Sequence, residues 1–280
     1  MTYRTILVSL NDVARAGTLI NVAGQLARKH DAHVVGHYVI PAVTVYPEVG
    51  MALVPSVFEG YQAYFKSKIG EVKDMFETRM RLDGFRGEWR VVESAYPEIA
   101  SSLIDHARTA DLVLISQIGP DTQSNIEIDL VARVLMESGR PILVIPQKWQ
   151  GSVLAQTVVS GFNGTKESAR SIFDAVPLMK EAREVRLVWV DPYKQRLESG
   201  EVPGAEAAAA LSRHGINVIA EPMLTDGRNG GEALLMRAHD LGAGLVTMGA
   251  YAHSRMQQYI FGGATKHVLE HMTVPVLMTH

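Results

Sequence analysis

The chain has 280 residues, and its 27 Lys and Arg against 30 Asp and Glu leave a formal charge of −3. Nonspecific binding of nucleic acid needs a clustered excess of Lys and Arg, and neither the total nor any short stretch provides one, so no nucleic-acid partner is expected. The absence of cysteine excludes disulfides, thiolate nucleophiles and cysteine-ligated metal centres. No apolar stretch approaches the roughly 20 residues of a membrane span, which predicts a cytoplasmic protein without membrane contact.

Short β-branched runs alternate with longer helical patterns through the first half. The predicted strands cover residues 4–10, 33–40, 87–93, 111–116 and 141–146, and the predicted helices cover 13–30, 57–82, 97–108 and 124–138. A continuous apolar strand such as 112–115 is buried on both faces, so helices are expected on both sides of the sheet.

The second half repeats this order. Its predicted strands cover 156–162, 185–190, 216–222, 244–249 and 274–279, and its predicted helices cover 165–180, 203–214, 231–242 and 257–271. Thr157 lies 152 residues after Thr5, whereas Pro275 lies 134 after Pro141, so the second copy is 18 residues shorter. The first copy has an additional Pro- and Val-rich segment, 41–60, that we interpret as a lid, an interface or a small apolar pocket. The repeat predicts two α/β domains, residues 1–148 and 149–280.

A polar segment follows the predicted strand that ends at Gly249. Its candidate binding residues are Gly249, Tyr251, His253, Ser254, Arg255, Gly262, Gly263 and Thr265. The glycine pair lets the backbone approach a ligand, and free N–H groups with the Thr265 hydroxyl near a helix N-terminus suit phosphate oxygens. His253 and Arg255 would add cationic contacts. The alternative is that these glycines only form turns and permit tight helix–sheet packing.

The same segment resembles the carboxyl-terminal signature of the universal stress proteins, which is Gly, two residues, Gly, nine residues, Gly and then Ser or Thr. Gly249 and Gly262 match the first and third glycines, whereas Ala252 replaces the second and Gly263 takes the Ser/Thr position. Thr265 falls on a further hydroxyl that is often present. The resemblance implies two tandem Rossmann-like (HUP-type) domains, each a five-stranded, mostly parallel sheet flanked by helices. It also implies a role in stress response.

For ligand and assembly, the resemblance implies ATP, with Mg²⁺ as its companion ion, or AMP. It implies pairing of the domains through their last strands as an intramolecular pseudo-dimer, and it leaves a homodimer open. The family has an acidic ribose-binding residue where Asn163 follows Gly161, and a base-edge backbone contact at the position of Val190. An amide can donate and accept, so Asn163 could still hold a ribose. Asn163 could equally end its strand through an Asx-turn.

The first half retains Asn11 and Asp12 at the end of its first strand but has no glycine pair after Ser116, and Pro120 removes one N–H. We interpret it as a degenerate, structural domain. The histidine pairs in the sequence do not predict a metal site. His267 and His271 lack a third ligand, and the other histidines are expected to be satisfied by hydrogen bonds.

The sequence therefore predicts a regulatory module that binds one adenine nucleotide in its second domain and has no catalytic residue. One alternative is a nucleotide-free scaffold that recruits a protein partner through its first domain. Another is a very slow ATPase with Thr265 and Arg255 around the γ-phosphate, although no general base is apparent.

Overall fold

The computed structural model of the chain describes residues 2–42, 55–119, 125–191, 204–251 and 263–280. The strands are β1 (Thr5–Ser9), β2 (His33–Ile40), β3 (Arg86–Glu93), β4 (Leu112–Ser116), β5 (Ile142–Ile145), β6 (Thr157–Phe162), β7 (Glu184–Val190), β8 (Val218–Met223), β9 (Leu245–Gly249) and β10 (Val276–Thr279). The helices of this part are α1 (Val13–His30), α2 (Pro55–Asp83), α3 (Ile99–Ala107), α4 (Leu130–Glu137), α5 (Lys166–Asp174), α6 (Val176–Met179), α7 (Ala205–Ser212), α8 (Gly230–Asp240) and α9 (Gly263–His271).

Residues Tyr3–Arg140 form one compact unit. Its four strands are parallel and lie in the order β3-β2-β1-β4. Every residue of β4 is buried, as is all of β2 after its first residue. This burial on both faces explains the largely apolar sequence of β4. Parallel pairing requires long connections between the strands, and these contain the helices.

Residues from Pro141 to His280 belong to the second compact unit. Its strand order is β5-β10-β9-β6-β7-β8, parallel except where β5 runs antiparallel to β10, with Leu143 opposite Leu277. The predicted α/β class, with a mostly parallel sheet flanked by helices, is confirmed. The strands divide four and six between the compact units rather than five and five, because β5, the last strand of the first repeat, joins the sheet of the second unit.

Two predicted helices differ clearly from the structure in their bounds. The predicted helix 165–180 is divided into α5 and α6, because Pro177 has no N–H to donate to the carbonyl of Phe173. The predicted helix 124–138 begins only at Leu130, after turns in which the Glu127 carboxylate accepts a hydrogen bond from the Ala100 N–H at 2.6 Å. Of the segment 41–60, residues 43–54 lie outside the described residues, and the same holds for 252–262.

Across the described ranges, no helix is both long enough and apolar enough to cross a membrane.

Candidate functional site

A cavity of about 410 Å³ lies in the second unit, where the adjacent parallel strands β9, β6 and β7 end. It is lined by Gly161, Phe162, Asn163, Ser168, Val190, Asp191, Gly230, Gly231, Leu234, Met248, Gly249, Tyr251, Gly263, Ala264 and Thr265. The chain leaves β6 toward β7 on one side, whereas β9 lies on the other side of β6. Open α/β sheets bind ligands at such a reversal of strand order, outside the carboxyl ends of the strands.

The cavity brings together residues that are distant in the sequence. Seven of the predicted binding residues line it: Gly161, Asn163, Val190, Gly249, Tyr251, Gly263 and Thr265. The other four, His253, Ser254, Arg255 and Gly262, lie outside the described residues.

Gly249 is required by packing. A Cβ at this position would stand 2.5 Å from the backbone nitrogen of Ser168 and 2.6 Å from the carbonyl carbon of Glu167. Real Cβ atoms do not approach backbone that closely, so the end of β9 can pass the first turn of α5 only as glycine. The packing interpretation of the glycines therefore holds at Gly249. The same residue also lines the cavity.

Gly230 and Gly231 were missed by the sequence analysis. A Cβ on Gly231 would stand 2.4 Å from the carbonyl oxygen of Ala264, so this glycine lets the first turns of α8 and α9 cross closely. The signal in the sequence is the triplet Asn229-Gly230-Gly231, a helix-capping residue followed by two glycines.

Three helices begin at the cavity, namely α5, α8 and α9. Thr165 caps α5, because its Oγ1 accepts a hydrogen bond from the Ser168 N–H at 3.3 Å. Asn229 caps α8, because its Oδ1 accepts from the Gly231 N–H at 2.8 Å. Helix N-termini carry partial positive charge, so all three favour a bound anion.

The side chains of the wall add little charge of their own. Among the described lining residues there is no Lys, Arg or His, and Asp191 is the acidic residue. Its two carboxylate oxygens accept hydrogen bonds from the N–H and the hydroxyl of Thr225, each at 2.9 Å. In this part of the wall, attraction for an anion must come from the backbone and the helix N-termini.

Asn163 forms the Asx-turn that was one of its two predicted roles. Its Oδ1 accepts hydrogen bonds from the Thr165 N–H at 3.3 Å and from the Thr165 hydroxyl at 2.9 Å. This turn leads the chain from β6 into α5, and Asn163 still lines the cavity.

Thr265 connects the end of β9 to the start of α9. The side chain is buried, and its Oγ1 accepts a hydrogen bond from the Tyr251 N–H at 3.2 Å. Tyr251 has a φ of +60°, which is a strained conformation for a non-glycine residue, and burial raises the pKa of its hydroxyl to about 12. The threonine hydroxyl thus helps to hold a strained residue of the cavity wall, and its own hydrogen can donate to a ligand.

Within the described residues, no group of three or more His, Asp or Glu side chains could hold a metal ion. His267 and His271 stack with ring centroids 4.2 Å apart on α9. His37, on β2, departs from the expectation of satisfied histidines. Its Nε2 lies 3.4 Å from the Ser102 hydroxyl, but its buried Nδ1 has no hydrogen-bond partner in the described part of the chain.

The structure defines a Rossmann-like α/β protein with a ligand-sized cavity at the carboxyl ends of the strands of its second unit. Residues 167–280 match the model of the Universal stress protein family. No curated protein matches the sequence.

Solved structures extend the likeness of the fold to the whole chain. A universal stress protein from Archaeoglobus fulgidus is 16% identical with a TM-score of 0.69, covering 98% of this chain and 97% of that one. A protein of unknown function from Pseudomonas aeruginosa is 14% identical with a TM-score of 0.65, covering 99% and 92%. A universal stress protein in complex with cAMP is 18% identical with a TM-score of 0.37, covering 53% and 100%. The first two of these likenesses confirm the Rossmann-like α/β fold over the whole chain.

Proposed function

We propose that the second half of the chain binds one adenine nucleotide, ATP or AMP, and acts as a regulatory binding module. The observation that carries this proposal is the cavity of about 410 Å³, which gathers seven predicted binding residues beneath three helix N-termini. Its volume lies within the range of roughly 300–1,000 Å³ that is typical of small-molecule sites. Its donors suit a phosphate, because backbone amides and helix N-termini bind anions without a basic cluster.

The wall suggests an orientation for the nucleotide. Phe162, Leu234 and Met248 provide apolar surface for a base next to the backbone of Val190. Asn163 lies at the end of the central strand, where the amide can meet a ribose hydroxyl.

The phosphates then lie toward Gly249, Tyr251 and the first turn of α9. We propose that Gly263 contributes its N–H and Thr265 its hydroxyl there. His253, Ser254, Arg255 and Gly262 complete this end in the proposal, and Mg²⁺ accompanies ATP. Binding is proposed rather than hydrolysis, because the Asp191 carboxylate is engaged by Thr225 instead of being placed as a general base.

Gly230→Leu tests the cavity without a backbone collision. A Cβ on Gly230 meets only Val190 Cγ1, at 3.6 Å, so a leucine side chain can extend into the cavity. We expect calorimetric titration with ATP, ADP and AMP to show one site on the wild type and at least a tenfold loss of affinity in G230L. The matched control is Gly70→Leu on α2, where a Cβ meets nothing within 4 Å.

Equal affinity in G230L and the wild type would place the nucleotide elsewhere. Mass spectrometry of gently purified protein gives a second readout, because a copurified adenine nucleotide is expected from the wild type and not from G230L.

A further inference from the structure

Strand pairing aligns the two halves residue by residue. Thr5 of β1 lies opposite His33 of β2, and Thr157 of β6 lies opposite Glu184 of β7. Six residues further along the chain from each of these positions, the first half has Asn11 and Val39. The second half has Asn163 and Val190 at the same positions. The first half therefore has a counterpart for the residues that line the cavity in the second.

The two asparagines make different bonds. In the first half, the Asn11 Nδ2 donates to the Val39 carbonyl at 2.7 Å, and the Asn11 Oδ1 accepts from the Val39 N–H at 3.0 Å. Asn11 is 3% exposed. In the second half, the Asn163 Oδ1 instead accepts hydrogen bonds from Thr165 within the Asx-turn.

The Asn11 amide has the hydrogen-bonding pattern of a base edge. A primary amide presents an N–H donor beside a carbonyl acceptor. Adenine likewise presents its amino donor beside a ring-nitrogen acceptor. The N–H and C=O of Val39 are both hydrogen-bonded to the Asn11 amide. An adenine base could bond to these two groups only by displacing the amide.

Polar and charged side chains of the first half also meet at the counterpart of the Gly249 position. Ser116, the counterpart of Gly249, donates its hydroxyl to the Asp12 Oδ2 at 2.8 Å. Asp12 and Arg15 are both buried at the start of α1, and the negative charge of Asp12 acts on the guanidinium of Arg15. At the position where Gly249 lines the cavity of the second half, Ser116 of the first half is bonded to Asp12.

We propose that Asn11 seals the first half against nucleotide by occupying the backbone pair of Val39, and that it thereby decides which half of the chain takes a ligand. The proposal rests on the proposed function, in which Val190, the counterpart of Val39, meets the base. Asn11 is an internal substitute for the base edge, so the chain has a single nucleotide site although it contains two copies of the fold.

The same substitution at the two equivalent positions tests the seal. In Asn11→Asp, one carboxylate oxygen still accepts from the Val39 N–H, but the other faces the Val39 carbonyl, where two acceptors repel. We expect the Tm at pH 8 to fall by about 5 °C or more, and the amide of Val39 to exchange hydrogen faster. In the control, Asn163→Asp, both Thr165 donors remain satisfied, and we expect a Tm within about 1 °C of the wild type.

A second pair of variants, with alanine at the same two positions, tests the proposal if N11D does not fold. Asn11→Ala leaves the buried Val39 N–H and C=O without the amide, so we expect a larger fall in Tm than for Asn163→Ala. Hydrogen exchange with saturating AMP should show protection in the second half alone.

The outcomes separate the two proposals. A wild-type chain that binds no adenine nucleotide contradicts the proposed function, whereas the Asn11 variants report on the seal without any ligand. Unchanged Tm and exchange rates in the Asn11 variants overturn the seal. Protection of β1 and β2 by AMP, or two nucleotides per chain, overturns it as well.

Discussion

The two halves of the chain form corresponding strands, but the groups at the carboxyl ends of these strands differ. In the first half, Asn11 bonds to the backbone of Val39, and Ser116 bonds to Asp12, so the ends of the strands are joined by internal side chains. In the second half, Gly249 removes the side chain that Ser116 provides, and a cavity of about 410 Å³ remains. The two halves thus preserve the same sheet while the side chains at their strand ends differ, and the cavity lies in the second half.

The largest effect is expected from Gly249→Ala, at the counterpart of Ser116. Its Cβ would overlap the backbone of α5, so we expect a loss of about 3 kcal/mol in the stability of the second unit, measured by urea denaturation. The control is Gly70→Ala, which has nothing within 4 Å and should be neutral or slightly stabilising because it lies in a helix. A G249A variant as stable as the wild type would show that this glycine is present for ligand contact alone.

The next largest effect is a fall in the stability of the first half as the pH is lowered. Burial, with the nearby charges of His106 and Arg90, lowers the pKa of His37 to about 3. Between that value and the ordinary value near 6.5, the unfolded chain binds a proton at His37 and the folded chain does not. The stability that depends on neutral His37 is fully present above about pH 6.5 and is lost as the pH falls. The free energy of unfolding should decrease by about 1 kcal/mol between pH 6 and pH 5.

Urea denaturation as a function of pH, with hydrogen exchange to separate the two units, measures this slope. His37→Gln should flatten it, whereas His239→Gln, at an exposed histidine of the second half, should leave it unchanged. If H37Q shows the same slope as the wild type, the acid sensitivity belongs to other groups. His106 is then the first candidate, because its ring centroid lies 4.6 Å from that of His37 and burial lowers its pKa as well.

The smallest effect is expected from Thr265→Val. The valine has a similar shape but cannot accept the hydrogen bond of the buried Tyr251 N–H, so we expect a loss of about 1 kcal/mol and weaker nucleotide binding. Thr265→Ser retains the acceptor and should restore most of both. Full nucleotide affinity in T265V would show that this hydroxyl contributes neither to the wall nor to the phosphate contact.

The pattern of apolar residues was sufficient to locate every strand in the part of the chain that the structure describes, and the order of strands and helices in each half. For central strands such as β4 and β9 this is possible because burial on both faces requires a largely apolar run, which a sequence displays directly. Helix bounds were less accurate. The break between α5 and α6 was missed although Pro177 signals it, and the late start of α4 depends on a bond from the Ala100 N–H to the Glu127 carboxylate, which is distant in sequence.

The residues that line the cavity were predicted where a resemblance to a known family supplied them, and missed where it did not. Gly249 and Gly263 lie in the signature of that family, but Gly231 lies outside it and reveals its role only through the 2.4 Å approach to Ala264. Asn163 had two predicted roles, and its bonds to Thr165 establish the Asx-turn while leaving the ribose contact a proposal.

The sequence by itself determined the α/β class, the internal repeat and the resemblance of the second half to the universal stress proteins, because these follow from local periodicity and short motifs. Only the tertiary structure decided that β5 joins the second unit and that Asn11 and Asn163, at equivalent positions, form different bonds. The physical reason is that strand partners and side-chain hydrogen bonds depend on groups far apart in the chain. An asparagine at the same position of the repeat bonds to the neighbouring strand in one half and lines a cavity in the other, depending on which donors and acceptors the fold places beside it.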